Sequence, residues 1–125
     1  MFAYSTDRAP VYVMRFAGHF DAADEGAYLA ALRDLVERPA GFVLLLVMEN
    51  ENRMSPAGYR EMALWFKAER QRLAARCRGL VRVRPGHAGD PADDANFRKA
   101  MPFPTARAAD EAAGWRLAET LAAAR

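Results

Sequence analysis

The segment Phe42–Met48 constrains the fold of this chain more than any other part of its 125 residues. All seven residues are apolar, so both faces of the segment are hydrophobic, as is typical of a central strand covered by helices on both sides. The segment is far shorter than the ~20 apolar residues that a membrane-spanning helix needs. It therefore predicts an α/β fold rather than a membrane span.

Strand-like and helical patterns alternate along the chain in the order β-β-α-β-α-β-α-β-α. The spacing predicts about four helices and five strands. The strands comprise residues 2–5, 11–18, 42–48, 80–83 and 105–108. The first two are too close together for a crossover and should pair antiparallel, whereas the others favour parallel pairing. We expect a mixed, mostly parallel five-stranded sheet in one domain, residues 1–125, with residues 121–125 frayed.

Aspartates with the chemistry of helix N-caps precede the first and last predicted helices. Asp21 stands before the first helix, and Asp24 follows it at a spacing close to that of a capping box. Asp110 stands before the last helix, which is amphipathic. These residues predict where both helices begin.

The longest predicted helix begins with Ser55 as its N-cap and Pro56 at its first position. Both residue types are preferred at these positions. An apolar stripe that includes Cys77 carries this helix to about residue 78, and Gly79 ends it.

The few cysteine and histidine residues argue against a protein with disulfides or a metal site. The single cysteine, Cys77, permits no internal disulfide, and the first residues lack the pattern of a secretory signal, so we expect a cytoplasmic protein. Cys77 lies on the apolar stripe and is interpreted as a core residue. His19 and His87 have no clustered ligand partners, and there is no glycine-rich phosphate loop. Neither a metal nor a cofactor is predicted.

Basic residues are concentrated in one window, residues 67–84, which contains seven Arg or Lys against one acid. They are distributed around a helix and continue into a strand, and no aromatic residues interleave with them as in a base-stacking surface. Nucleic acid is therefore not expected as a partner, and contact with an anionic membrane surface is also disfavoured.

Four short motifs resemble those of the STAS superfamily. G-H-F-D-A-A at residues 18–23 follows the second strand, where the superfamily has G-x-Φ-D-A with an apolar Φ. M-S-P-A-G at residues 54–58 opens the long helix, where the superfamily has M-D-S-S-G. C-R-G at residues 77–79 and P-F-P-T at residues 102–105 resemble the SpoIIAA-like branch, also described as STAS/SEC14-like. The resemblance covers nearly the whole chain.

This resemblance implies a SpoIIAA/STAS-like fold and a non-enzymatic binding or regulatory function. In anti-sigma-factor antagonists of the superfamily, phosphorylation of a Ser at the start of the long helix switches partners. Pro56 occupies that position here, so the switch does not transfer to its usual site. A phosphate on Ser55 would be favoured by the helix dipole, but we interpret Ser55 as a plain N-cap.

Polar residues cluster near the predicted carboxyl edge of the sheet, where open α/β sheets bind ligands. The residues expected to converge there are His19, Asp21, Asn50, Asn52 and Ser55. Such a cluster suits a small polar ligand or a partner's peptide. A solvated loop is the favoured alternative, because loops are generally polar.

One flank of the long helix has the composition of a protein-contact surface. If Phe66 faces the core, Leu64 points nearly away from it and Trp65 lies about a quarter-turn off, beside Arg72 and Arg76. Tryptophan and arginine are common anchors of protein interfaces. The flank therefore predicts a protein partner or self-association into a homodimer, with an ordinary solvated helix face as the alternative.

Three functions are compatible with these features. The favoured one is a regulatory protein-interaction module. The second is a carrier or binder of a lipid or other apolar small molecule, in a cavity between helices and sheet that the many Ala and Met residues would leave open. The least favoured is a small hydrolase-type enzyme in which His19 and Asp21, with Ser55, would act on a substrate.

Overall fold

The computed structural model describes residues 1–49, 53–84 and 91–124. Within these ranges the strands and helices follow the predicted order. The elements are β1 (Phe2–Arg8), β2 (Val11–Phe16), α1 (Ala22–Val36), β3 (Phe42–Met48), α2 (Pro56–Arg76), β4 (Cys77–Val83), α3 (Pro91–Ala100), β5 (Thr105–Ala108) and α4 (Glu111–Ala123). Among the described residues, no helix combines the length and apolar character needed to cross a membrane.

The strands form one mixed sheet in the order β1-β2-β3-β4-β5. β1 pairs antiparallel with β2, and the other neighbours pair in parallel, so the predicted mixed, mostly parallel sheet is confirmed. Each helix between parallel strands connects one strand to its next neighbour in the sheet, always in the same direction across the sheet. Because such connections are right-handed, α1, α2 and α3 all lie on one face. α4 covers the opposite face. The carboxyl ends of β2 to β5 therefore lie along one edge of the sheet.

The hydrophobic core lies on both faces of the sheet, with β3 at its centre. Phe42 and Leu44 belong to the core on the side of α1 and α2, which we call the helix-side core. Val43 and Leu45 belong to the core beneath α4, the α4-side core. Phe42, Val43 and Leu45 are fully buried. An apolar strand buried on both faces is what the uninterrupted apolar segment predicts.

The boundary between α2 and β4 differs from the prediction. α2 ends at Arg76, and Cys77 is the first residue of β4 instead of lying in a helix that continues to about residue 78. Cys77 has an extended backbone (φ −94°, ψ 121°) and pairs with Phe42 of β3. Gly79 lies within β4 and does not end the helix. Pairing with the buried central strand therefore prevails over the helical spacing of the apolar residues.

Three other element ends also differ from the prediction. β1 continues to Arg8, beyond the expected end at residue 5. β2 ends at Phe16, and Gly18 then takes a positive φ of 61°. α4 continues to Ala123, because Leu121 packs against the α4-side core and so holds the last turn in place. Residues 121–123 are therefore helical rather than frayed.

Candidate functional site

A pocket of about 190 Å³ opens at the carboxyl edge of the sheet, between α1 and α2. The described residues that line it are Phe16, Phe20, Tyr28, Met48, Met54, Tyr59 and Met62. None of these seven residues is a charged type, and five of them have no polar group other than the backbone or a thioether. The surface of the pocket is therefore chemically suited to an apolar ligand.

The ends of two parallel strands form the floor of the pocket. Phe16 is the last residue of β2 and Met48 the last residue of β3, and the two are paired in register. Both pack against the helix-side core, because side chains alternate between the two faces along a strand. The segments that follow these strands contribute Phe20 and Met54.

The two helices form the walls of the pocket. Tyr28 comes from α1, whereas Tyr59 and Met62 come from α2 and lie three residues apart, on the same face of that helix. Tyr59 is 44% exposed, which places it at the entrance. The Tyr28 hydroxyl donates a hydrogen bond to Met62 Sδ at 3.5 Å, so the two walls are in contact.

Contacts between aromatic rings hold the α1 wall in place. The Phe16 ring centroid lies 5.1 Å from that of Tyr28 and 5.9 Å from that of Phe20. Phe2 of β1 contacts Phe16 at 5.1 Å and Tyr28 at 5.5 Å. Tilted and edge-to-face contacts of this kind are favourable and orient the rings. This wall is therefore formed by the fold itself, before any ligand binds.

Two hydroxyl groups, those of Tyr28 and Tyr59, give the pocket its polar character. Burial raises the pKa of Tyr28 to about 12, and the nearby Tyr59 contributes in the same direction. Burial has this effect because a low-dielectric environment disfavours the phenolate. The Tyr28 hydroxyl therefore stays protonated, and able to donate, throughout the neutral range.

A contact between Glu25 and Ser55 joins α1 to the start of α2 beside the pocket. Ser55 Oγ accepts from the Gly58 N–H at 3.0 Å, which confirms the predicted N-cap. The Ser55 hydroxyl also donates to Glu25 Oε2 at 2.9 Å, and the Ser55 N–H donates to Glu25 Oε1 at 2.6 Å. A Cβ at Gly58 would lie 2.5 Å from Glu25 Oε1, so glycine allows this close approach.

Replacing Ser55 by Ala is expected to lower the free energy of unfolding by about 1–2 kcal/mol, because α2 loses its N-cap and Glu25 loses a donor. Ser55→Asn and Ser55→Asp form a matched pair, since both side chains can cap the helix but only Asp places a second carboxylate against Glu25. We expect Ser55→Asp to be the less stable of the two. Urea denaturation measures this difference, and equal stabilities would contradict the Glu25 contact.

Of the predicted polar cluster, the described members His19, Asp21 and Ser55 do not line the pocket. The His19 side chain is exposed and has no hydrogen-bond or ion-pair partner among the described residues. The Asp21 carboxylate accepts from the Asp24 N–H at 2.9 Å in a complete capping box, which confirms the predicted cap. Asn50 and Asn52 lie outside the described residues. The predicted edge of the sheet thus contains a pocket, and the described residues that line it are largely apolar.

The predicted contact flank of α2 is divided between exposed and internally paired residues. Leu64 is 61% exposed. Trp65 is half-buried against the helix-side core, 5.1 Å from the Phe66 ring. Arg72 pairs with Glu37, the residue that follows α1, at 2.8 Å and with Glu69 at 3.0 Å. Arg76 donates to the Arg38 carbonyl. Both arginines therefore hold α2 against the carboxyl end of α1.

Cys77 is buried, as predicted for a core cysteine. Its Sγ donates to the Gly79 carbonyl at 3.3 Å, and burial raises the pKa of the thiol to about 12. A thiol with this pKa contains almost no thiolate at neutral pH and is a poor nucleophile. In the part of the chain that the structure describes, no group of three or more His, Cys, Asp or Glu residues could hold a metal ion.

No protein-family model matches this sequence, and no curated protein sequence is significantly similar to it. The architecture itself places the chain among α/β proteins with a mixed five-stranded sheet and helices on both faces. The lining of the pocket and its position at the carboxyl edge are then the features from which a function can be inferred.

Proposed function

We propose that this protein is a non-enzymatic binding domain that holds a small apolar molecule in the pocket between α1 and α2. The observation that carries this proposal is a pocket of about 190 Å³ at the carboxyl edge of the sheet, whose seven described lining residues are all uncharged types. Ligands of open α/β sheets bind at this edge. In another protein, an apolar cavity of about 150 Å³ is large enough to bind benzene. The pocket therefore suits one six-membered ring with a short substituent.

The expected affinity for such a ligand is modest. Burying about 150–200 Å² of apolar ligand surface at about 25 cal/mol per Å² gives about 4–5 kcal/mol, which corresponds to a Kd on the order of 1 mM or somewhat tighter. The preformed aromatic wall around Phe16 favours binding, because those side chains need little ordering when the ligand enters.

The state of the candidate reactive groups supports binding over catalysis. The Asp21 carboxylate is engaged in the capping box, and Ser55 is engaged as the N-cap of α2, with its hydroxyl and its N–H both donating to the Glu25 carboxylate. The buried Cys77 thiol is held in its protonated form. A nucleophile needs an adjacent general base or a lowered pKa, and the pKa of the Cys77 thiol is raised instead.

Ethylbenzene is a suitable first ligand, and methionine methyl resonances report its position. We expect saturable shifts for Met48, Met54 and Met62, which line the pocket, and none for the fully buried Met14. Met62→Trp is expected to weaken binding at least tenfold, about 1.4 kcal/mol, by filling the pocket.

Leu64→Trp is the matched control for Met62→Trp, because it adds the same indole to an exposed position of the same helix. It should leave the affinity for ethylbenzene unchanged. The proposal fails if the parent protein shows no saturable shift of the three methyl groups up to the solubility limit of ethylbenzene.

A protein-interaction module, which includes self-association into a homodimer, is the second candidate function. It is favoured by the exposure of Leu64 on α2, the helix that also forms one wall of the pocket. Large exposed apolar residues are common in protein contacts, whereas single ones are also ordinary surface features. A solution mass that stays at 13.9 kDa at every concentration would count against self-association through Leu64.

We further propose that the chain is a cytoplasmic SpoIIAA-like STAS domain. The motif at residues 18–23 directly follows β2, and the motif at residues 54–58 opens α2, the positions that these segments have in the superfamily. The free, buried Cys77 supports a cytoplasmic location, because reducing compartments keep thiols unpaired.

A further inference from the structure

We infer that the pocket selects uncharged ligands that carry one hydrogen-bond acceptor next to a hydrocarbon ring, such as a small aryl ketone, ester or ether. The Tyr28 hydroxyl would bind the acceptor atom. This inference rests on the proposed function, because it names the chemical class of ligand for the same pocket.

The orientation of Tyr28 is the first observation behind this inference. Its ring stands at 70° to the Phe2 ring and at 71° to the Phe16 ring, with centroids 5.5 Å and 5.1 Å apart. These edge contacts on the sheet side restrict the ring, since an aromatic side chain packed against two other rings has few alternative rotamers. The hydroxyl is therefore presented at a defined position in the α1 wall.

The hydrogen bond that Tyr28 makes is the second observation. Its hydroxyl donates to Met62 Sδ at 3.5 Å, and a thioether is only a weak acceptor. Both residues line the pocket, so a ligand oxygen can take the place of the sulfur without breaking any stronger bond. Met62 is a flexible side chain and can move aside at little cost.

The charge state of the wall is the third observation. Because burial raises the pKa of Tyr28 to about 12, the hydroxyl remains a donor at neutral pH and does not become a phenolate. None of the seven lining residues that the structure describes is cationic, so a carboxylate ligand would lose its hydration without gaining an ion pair from them. The Glu25 carboxylate, bound to Ser55 next to Met54, adds to the penalty for an anion.

Acetophenone and ethylbenzene test the inference, because they have similar size and differ in whether a carbonyl or a methylene adjoins the ring. A neutral hydrogen bond in a protein corresponds to an affinity change of about 3- to 10-fold. Tyr28→Phe is therefore expected to weaken acetophenone binding by about that factor and to leave ethylbenzene within about twofold of the parent. Benzoate should bind the parent at least about tenfold more weakly than acetophenone.

Tyr4→Phe is the matched control, since it removes a tyrosine hydroxyl from a residue that does not line the pocket and donates to Asp34 Oδ2 at 2.9 Å. It should leave the affinities for both ligands unchanged. Each affinity is measured from the methyl shifts of Met48 and Met54, and the unfolding midpoint in urea confirms that each variant is folded.

Three results would overturn the inference, and they are distinguishable. If Tyr28→Phe changed the affinities for acetophenone and ethylbenzene equally, the hydroxyl would not bind the acceptor atom, although the pocket would still bind a ligand. Tighter binding of benzoate than of acetophenone would remove the selection against charge. If neither acetophenone nor ethylbenzene binds the parent, the proposed function itself is wrong.

Discussion

Truncation of Phe42 to Ala is expected to lower the free energy of unfolding by about 3–5 kcal/mol, the largest effect that we predict for one substitution. Phe42 is fully buried at the start of β3, and its ring lies 5.9 Å from that of Tyr12. The strands on both sides of β3 are held by parallel pairing, so they cannot close the cavity that Ala would leave. Urea denaturation followed by far-ultraviolet circular dichroism measures the loss.

Leu64→Ala is the control for this prediction. Leu64 is also a large apolar residue, but it is 61% exposed, so its truncation should change stability by less than about 0.5 kcal/mol. Phe42→Leu leaves a smaller cavity and should cost about 1–2 kcal/mol, which keeps the series measurable if the Ala variant does not fold. A loss below about 1 kcal/mol for Phe42→Ala would contradict a core built on β3.

Gly114→Ala is expected to destabilise the protein by about 1–3 kcal/mol, although Ala favours a helix over Gly by about 1 kcal/mol. Gly114 is buried in α4, where the helix lies directly on the sheet. A Cβ at this position would overlap Val83 Cγ2 and would lie 3.2 Å from Leu45 Cδ1. Both neighbours are fully buried, so α4 would have to move away from the sheet.

Gly26→Ala makes the same chemical change at a helix position where nothing lies within 4 Å of the added Cβ. This control should stabilise the protein by about 0.5–1 kcal/mol through helix propensity alone. The two substitutions are therefore predicted to have opposite signs in the same urea denaturation experiment. A stabilising effect of Gly114→Ala would mean that α4 does not pack as closely as described.

Features that depend on short-range chemistry could be predicted from the sequence. β3 and β5 have the predicted bounds. Asp21, Ser55 and Asp110 each accept a backbone N–H three residues ahead, at 2.9, 3.0 and 2.8 Å. A cap involves only residues of the same turn, and the seven apolar residues of β3 are contiguous, so a single sequence contains the information.

A cavity between helices and sheet is one of the expectations from the sequence, but the position and lining of this pocket could not be predicted, because the lining follows the same pattern as a packed core. Tyr28, Tyr59 and Met62 fall on the apolar stripes of α1 and α2. Whether two such stripes meet or leave a gap depends on the distance between the helices. The contact between Glu25 and Ser55, which are 30 residues apart in the sequence, helps to set that distance. Periodicity contains no information about such a pair.

The arginines of α2 show that contacts of surface residues could not be predicted from the sequence either. The composition of the Trp65 flank is typical of a protein interface, but Arg72 pairs with Glu37, which lies 35 residues earlier in the chain. Arg76 likewise donates to the carbonyl of Arg38. These contacts exist only because α1 and α2 pack side by side. Residue types alone could not distinguish such an internal contact from binding to another molecule.

Because the strands occupy the sheet in their chain order, each one pairs with the strand synthesised just before it. The loops that must close are therefore as short as parallel pairing allows, which lowers the entropic barrier to folding and favours a fast rate for an α/β topology. A nascent chain could add its strands in succession to the β1–β2 hairpin during translation, and no early strand would wait unpaired for a distant partner.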